Sequence, residues 1–157
     1  MNAINEIKEV ALDCSLELYS IMGSLLLLRT SGVVRQDIMA KIILAEDDNS
    51  LRGFLVNALK KAGHTVRDYD DGESALEALQ EEVFDLLLTD IVMPGLDGIE
   101  LARKGAELDP AMKIVFITGF AAVALSNGSP TPAGAKVLSK PFHLRELVDE
   151  VERVMAA

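Results

Sequence analysis

The chain is poor in cysteine, in basic residues and in long apolar runs, and each shortage narrows what it does. A single cysteine, Cys14, leaves no internal disulfide framework and no cysteine-based metal site, which fits a cytoplasmic protein. Fifteen lysines and arginines stand against 25 acids, a formal net charge of −10. Without a basic stripe to neutralise phosphates, a nucleic-acid partner is not expected. The most apolar stretch, Ile21-Met22-Gly23-Ser24-Leu25-Leu26-Leu27-Leu28, falls well short of the roughly 20 residues that span a bilayer. No membrane partner is expected. A secretory signal would need a basic leading region, and here Glu6, Glu9, Asp13 and Glu17 surround Lys8. What is present is ordinary globular material: 157 residues, 50% hydrophobic and 25% charged. That is enough for one core with helices on both faces of a sheet.

Residues 1–38 stand apart from the rest. Ile4, Ile7, Ala11 and Leu12 could share a helix face and pack on a partner. The favoured reading is different. Met39-Ala40-Lys41-Ile42-Ile43-Leu44 is how a chain opening on its first strand begins, so residues 1–38 are expected to be a poorly packed extension or a mis-assigned start. The domain proper is then 39–157.

From Lys41 onward, strands and helices alternate. Apolar strands are expected at Lys41 to Ala45, Phe84 to Asp90, Ile114 to Thr118 and Ala135 to Lys140, with a weak edge strand at Thr65 to Tyr69. The first helix is expected near Asn49 to Ala62, with Leu51, Phe54, Leu55, Ala58 and Leu59 on its apolar stripe and Gly63 as its stop. A second helix follows Asp71-Gly72. A third starts near Asp97-Gly98 and ends before Pro110. The last runs from about His143, with Leu144, Leu147, Val151 and Val154 on one face. Between Phe120 and Gly134 the first half could form a short helix, and the second half, with Ser126-Asn127-Gly128-Ser129-Pro130, has loop chemistry. Helices between successive strands imply right-handed crossovers and a doubly wound, five-stranded parallel sheet.

In such a sheet, ligands bind at the carboxyl ends of the strands. Four apolar strands here deliver polar chemistry at that end: Asp47 and Asp48, then Asp90, then Thr118, then Lys140. Three carboxylates in one crevice repel one another, and a hard divalent cation relieves the repulsion. Mg²⁺ prefers carboxylate oxygens together with waters and a substrate phosphate. One exposed carboxylate beside a cation, a hydroxyl and an ammonium suits phosphoryl transfer to the carboxylate. Taken singly, each residue has a plainer reading. Asp47 or Asp48 could cap a helix, Thr118 could be a satisfied hydroxyl and Lys140 a solvated charge. Their joint placement favours a site. His64 and His143 are read as structural, and Met93 and Met112 as core filler.

The motifs Glu46-Asp47-Asp48, Asp90 with Met93-Pro94-Gly95-Leu96-Asp97-Gly98, Thr118-Gly119 and Lys140-Pro141-Phe142 resemble the receiver domain of two-component response regulators. The resemblance covers Lys41 to about Met155 and implies a flavodoxin-like fold. It implies that Asp90 is the phosphoacceptor and that Asp47 and Asp48 hold Mg²⁺, Asp48 the more direct ligand. The backbone carbonyl of Val92 would be a further ligand, and Thr118 and Lys140 the switch residues. It also implies a histidine kinase or histidine phosphotransferase as donor. The runs Leu88 to Pro94, Phe116 to Leu125 and Val137 to Leu144 resemble CpdR-type single-domain regulators still more. That resemblance implies a link to substrate delivery to the ClpXP protease.

Two features depart from the family. Val137 stands where many receivers carry a rotating aromatic, and a proline-rich segment stands where the fourth helix of a receiver continues, which implies a remodelled fourth helix. The apolar residues Val92 and Phe120, at the mouth of the site, predict a slowly hydrolysed aspartyl phosphate. Two other classes stay open. A phosphorylation-independent adaptor could keep a receiver fold. An aspartate-nucleophile phosphatase would want a second acid where this chain has Val92.

Overall fold

The computed structural model describes residues 39–119 and 131–157. The reading of residues 1–38, Cys14 and the remodelled helix expected between Phe120 and Gly134 rests mainly on positions outside the described residues. Among the described residues, five parallel strands are β1 (Lys41–Ala45), β2 (Thr65–Tyr69), β3 (Leu86–Asp90), β4 (Lys113–Thr118) and β5 (Lys136–Ser139). Four helices are α1 (Asn49–Lys61), α2 (Gly72–Glu81), α3 (Gly98–Leu108) and α4 (Leu144–Ala156).

The strands lie in the order β2-β1-β3-β4-β5. From β1 the chain steps outward to β2, then crosses back to β3 and onward. The point of reversal is between β1 and β3, so a crevice opens at their carboxyl ends. This is the expected doubly wound, flavodoxin-like sheet. As expected, β2 is an edge strand.

Strand alternation divides the apolar residues between the two faces. Ile43, Ala45, Leu87 and Phe116 pack with Ala75, Leu101 and Ala102 under α2 and α3. Ile42, Leu44, Leu88, Val115 and Ile117 pack with Leu55, Leu59, Leu147 and Val151 under α1 and α4. Strand β3 is buried along its whole length, as suits a central parallel strand with helices on both sides. Met93 and Met112 are buried in the first cluster, as the sequence suggests.

The helices begin where acids cap them. Asp48, Asp71 and Asp97 each accept a backbone N–H one turn on, from Leu51, Ser74 and Glu100. Gly63, at φ +97°, follows α1 as a left-handed stop.

Three details differ from expectation. Phe54, placed on the apolar stripe of α1, is 62% exposed, because two buried leucines, Leu55 and Leu59, already fill the face of α1 turned to the sheet. Leu144, placed on the buried face of the last helix, is 41% exposed. Strand β5 ends at Ser139, one residue before Lys140, since Pro141 has no N–H with which to extend the ladder. His143 is the N-cap of α4, and its backbone N–H donates to Glu146 Oε2 at 3.1 Å. His64 is buried, with Nδ1 accepting the Ala40 N–H at 3.3 Å.

Candidate functional site

The site is built at the reversal point. Asp90 is the last residue of β3 and is 8% exposed. Gly98 N–H donates to the Ile91 carbonyl at 3.0 Å and closes the loop that follows. Gly98 admits no side chain, because a Cβ there would stand 1.9 Å from the Asp90 carbonyl oxygen. Both carboxylate oxygens of Asp90 are engaged. Oδ1 accepts the Val92 N–H at 3.1 Å, and Oδ2 accepts from Lys140 Nζ at 2.6 Å.

Lys140 reaches Asp90 from the end of β5. Its backbone N–H donates to the Thr118 carbonyl at 2.8 Å, which ties the end of β5 to the end of β4. Thr118 itself is fully buried as the last residue of β4. The Lys140 ammonium has a second partner, Glu46 Oε2 at 2.9 Å. Burial pulls its pKa down, but the hydrogen bonds to Asp90 and Glu46 outweigh this and hold it above the usual lysine value.

Glu46 is the residue that sequence reasoning did not single out. It is 1% exposed. Burial pushes its carboxyl above the ordinary range, Lys140 pulls it back, and the charge of Asp90 pushes it up again. Its ligand-type oxygens converge with those of Asp47 and Asp90, all within 4.8 Å of one another. The acids that converge with Asp90 are thus Glu46 and Asp47, where the sequence reading paired Asp47 with Asp48. The physical reason is local. Asp48 Oδ1 is spent on the α1 cap, accepting the Leu51 N–H at 2.9 Å. Two signals pointed this way. Asp48 immediately precedes a helical run, and strand alternation sets Glu46 in line with buried Ile42 and Leu44. Arg52 braces the segment from the side: Nη1 donates to the Glu46 carbonyl at 2.8 Å and Nε to Asp68 Oδ2 at 3.2 Å.

Val92 lies two residues after Asp90 and is 58% exposed. Phe120 lies outside the described residues. Val137 is half-buried against the α2–α3 cluster.

With every group ionised, three carboxylates against one ammonium leave two negative charges. Oxygen donors of this number and charge fit a hard divalent cation such as Mg²⁺.

Fold and site together define an acidic, lysine-bearing crevice at the carboxyl edge of a doubly wound parallel sheet, and known proteins share it. Residues 42–152 match the response regulator receiver domain model, and the chain belongs to that family. It is 65% identical to the response regulator receiver protein CpdR of Brucella abortus, over 76% of this chain and 99% of the relative. Among solved structures, a response regulator receiver protein from Sinorhizobium medicae is 32% identical, covers 76% of this chain and 97% of its own, and superposes with a TM-score of 0.69. The response regulator TrrA of Thermotoga maritima, solved in complex with Mg(2+)-BeF, is 26% identical over 74% of this chain and 99% of its own, at a TM-score of 0.67. The chain is thus a receiver-domain response regulator, a CpdR-like signalling protein.

Proposed function

We propose that Asp90 accepts a phosphoryl group from a phosphohistidine of a histidine kinase or histidine phosphotransferase, in a reaction that requires Mg²⁺. The observation that carries this is the Lys140 ammonium 2.6 Å from Asp90 Oδ2, beside the convergent acids Glu46 and Asp47. Glu46, Asp47, Asp90 and the Val92 carbonyl would hold the cation, which when bound supplies charge neutralisation for the transferring phosphoryl group. An Asp90 carboxylate oxygen attacks phosphorus, and the bond from phosphorus to the imidazole nitrogen breaks with its electron pair on nitrogen. Lys140, held positive by its two carboxylates, then has phosphoryl oxygens to pair with. Thr118, one strand over, offers its hydroxyl to the same group. The Mg(2+)-BeF complex of the Thermotoga maritima relative supports this reading.

The donor would cover the rim beside Lys140. There Leu51, Phe54, Pro141, Phe142 and Leu144 line an open groove of about 420 Å³, and exposed apolar surface of this kind marks a protein contact. Downstream, the narrower reading is a phosphorylation-dependent protein contact that controls delivery of substrates to ClpXP, supported by the likeness to CpdR.

Acetyl phosphate with Mg²⁺ should add one phosphoryl mass to the wild type and none to Asp90→Ala, and EDTA should abolish the addition. An adduct that persists in Asp90→Ala would sink the assignment. Pull-downs with wild type and Asp90→Asn, each with and without phosphodonor, test the output. Identical partners in all four would favour a phosphorylation-independent adaptor.

A further inference from the structure

The loop after Asp90 is gripped from outside the site by the start of α2. Asp71 caps this helix, its Oδ1 accepting the Ser74 N–H at 2.7 Å. Glu73 lies in the first helical turn, where the positive end of the helix dipole favours a carboxylate. Its Oε1 reaches across to accept the Leu96 N–H at 2.9 Å. The two segments meet with no room between them. A Cβ on Gly72 would stand 2.2 Å from the Leu96 carbonyl oxygen, and one on Gly95 would stand 2.5 Å from Glu73 Oε1. Gly95 also holds φ +73°, a left-handed backbone that suits glycine.

Elsewhere the loop is pinned on its inner side. Ile91 and Met93 are buried in the α2–α3 cluster, and Val92 N–H is bonded to Asp90 Oδ1. The outer side depends on the grip at Leu96. The Val92 carbonyl lies between these anchors along the chain, so the path of the loop decides where that oxygen stands.

We propose that Glu73 is a positioning residue for the phosphoacceptor site. By accepting the Leu96 N–H it sets the path of the loop from Ile91 to Asp97, and with it the place of the Val92 carbonyl relative to Asp90. Glu73 touches none of the reacting groups. The inference rests on the phosphoacceptor reading and adds to it a residue outside the acidic cluster.

The test compares full-length wild type, Glu73→Ala and Glu73→Gln. Calorimetric Mg²⁺ titration measures affinity, and amide hydrogen exchange at Leu96 measures the grip without any metal. Glu73→Ala should speed Leu96 exchange and weaken Mg²⁺ binding about three- to tenfold, what one net hydrogen bond is worth. Glu73→Gln keeps an acceptor oxygen and should recover most of both. Two results would overturn the proposal. One is faster Leu96 exchange in Glu73→Ala with unchanged Mg²⁺ affinity, which would make the bond a local clip only. The other is an equal loss of affinity in Glu73→Gln and Glu73→Ala, which would assign the effect to charge. If wild type binds no Mg²⁺ and takes no phosphoryl group, the phosphoacceptor reading falls first and this one with it. If wild type does both and Glu73→Ala matches it, only the role of Glu73 falls.

Discussion

Replacing Lys140 by methionine tests the electrostatics of the site most directly. The ammonium sits on Glu46, which is 1% exposed, and on Asp90. Removing one partner of a buried ion pair costs about 3–5 kcal/mol when the other charge is left uncompensated. Glu46 has an escape, since burial already pushes its carboxyl above the ordinary range, and loss of the ammonium that pulls it back pushes it further towards the protonated form. A carboxyl protonated in the folded chain and ionised in the unfolded one has its folded pKa above the unfolded value. Its stabilising contribution is present at low pH and lost as pH rises, with a slope of about 1.4 kcal/mol per unit. From pH 5 to pH 7 the penalty of Lys140→Met should therefore grow, with that slope of about 1.4 kcal/mol per unit as its upper bound. Urea denaturation in EDTA across this range measures it. The double variant Lys140→Met/Glu46→Gln should lose most of that slope. A penalty in Lys140→Met that does not change with pH, or a double variant with an undiminished slope, would refute the reasoning.

Three further outcomes are expected. Gly98→Ala forces a Cβ against the Asp90 carbonyl oxygen, which cannot move without moving Asp90 itself. It should cost about 3 kcal/mol or more by chemical denaturation. Burial lowers the His64 pKa from its ordinary 6.5, with Glu152 opposing, so His64 adds stability that is present above about pH 6.5 and lost as pH falls towards the lowered folded value. His64→Gln should flatten that fall in a pH series of melting curves. A chain begun at Met39 should melt cooperatively and accept phosphoryl groups at the wild-type rate, and an insoluble or inactive product would make residues 1–38 a working part of the protein.

Most of the fold was legible because hydrophobic patterning and sheet topology agree here. Central parallel strands are buried on both faces, so Leu86-Leu87-Leu88 and Ile114-Val115-Phe116-Ile117 read as unbroken apolar runs. The edge strand, Thr65 to Tyr69, reads as a weak one. The positions of Asp90, Thr118 and Lys140 followed from the same logic, since each lies where an apolar run stops. What sequence pattern did not resolve was competition among neighbours. Three acids in a row, Glu46 to Asp48, offer one helix cap and two places in the crevice. Which acid takes which depends on where α1 starts, a boundary that pattern reading locates least well. Phe54 and Leu144 failed for a related reason. Helical periodicity gives an apolar stripe but not its width, and the outermost residues of the α1 and α4 stripes fall on the groove rather than in the core.

The uneven burial of the sheet has a mechanical consequence. Strand β3, which ends in Asp90, is enclosed along its whole length and flanked by β1 and β4. Strand β5, which leads to Lys140, has four residues, lies at the rim of the sheet and buries none of them fully. Tension between the two ends of the Asp90–Lys140 contact therefore meets a stiff anchorage on one side and a compliant one on the other. Amide exchange should register the difference as slow exchange at Leu87 and Leu88 and fast exchange at Leu138. A load on that contact should therefore displace the thinly buried margin of the sheet more than its enclosed centre.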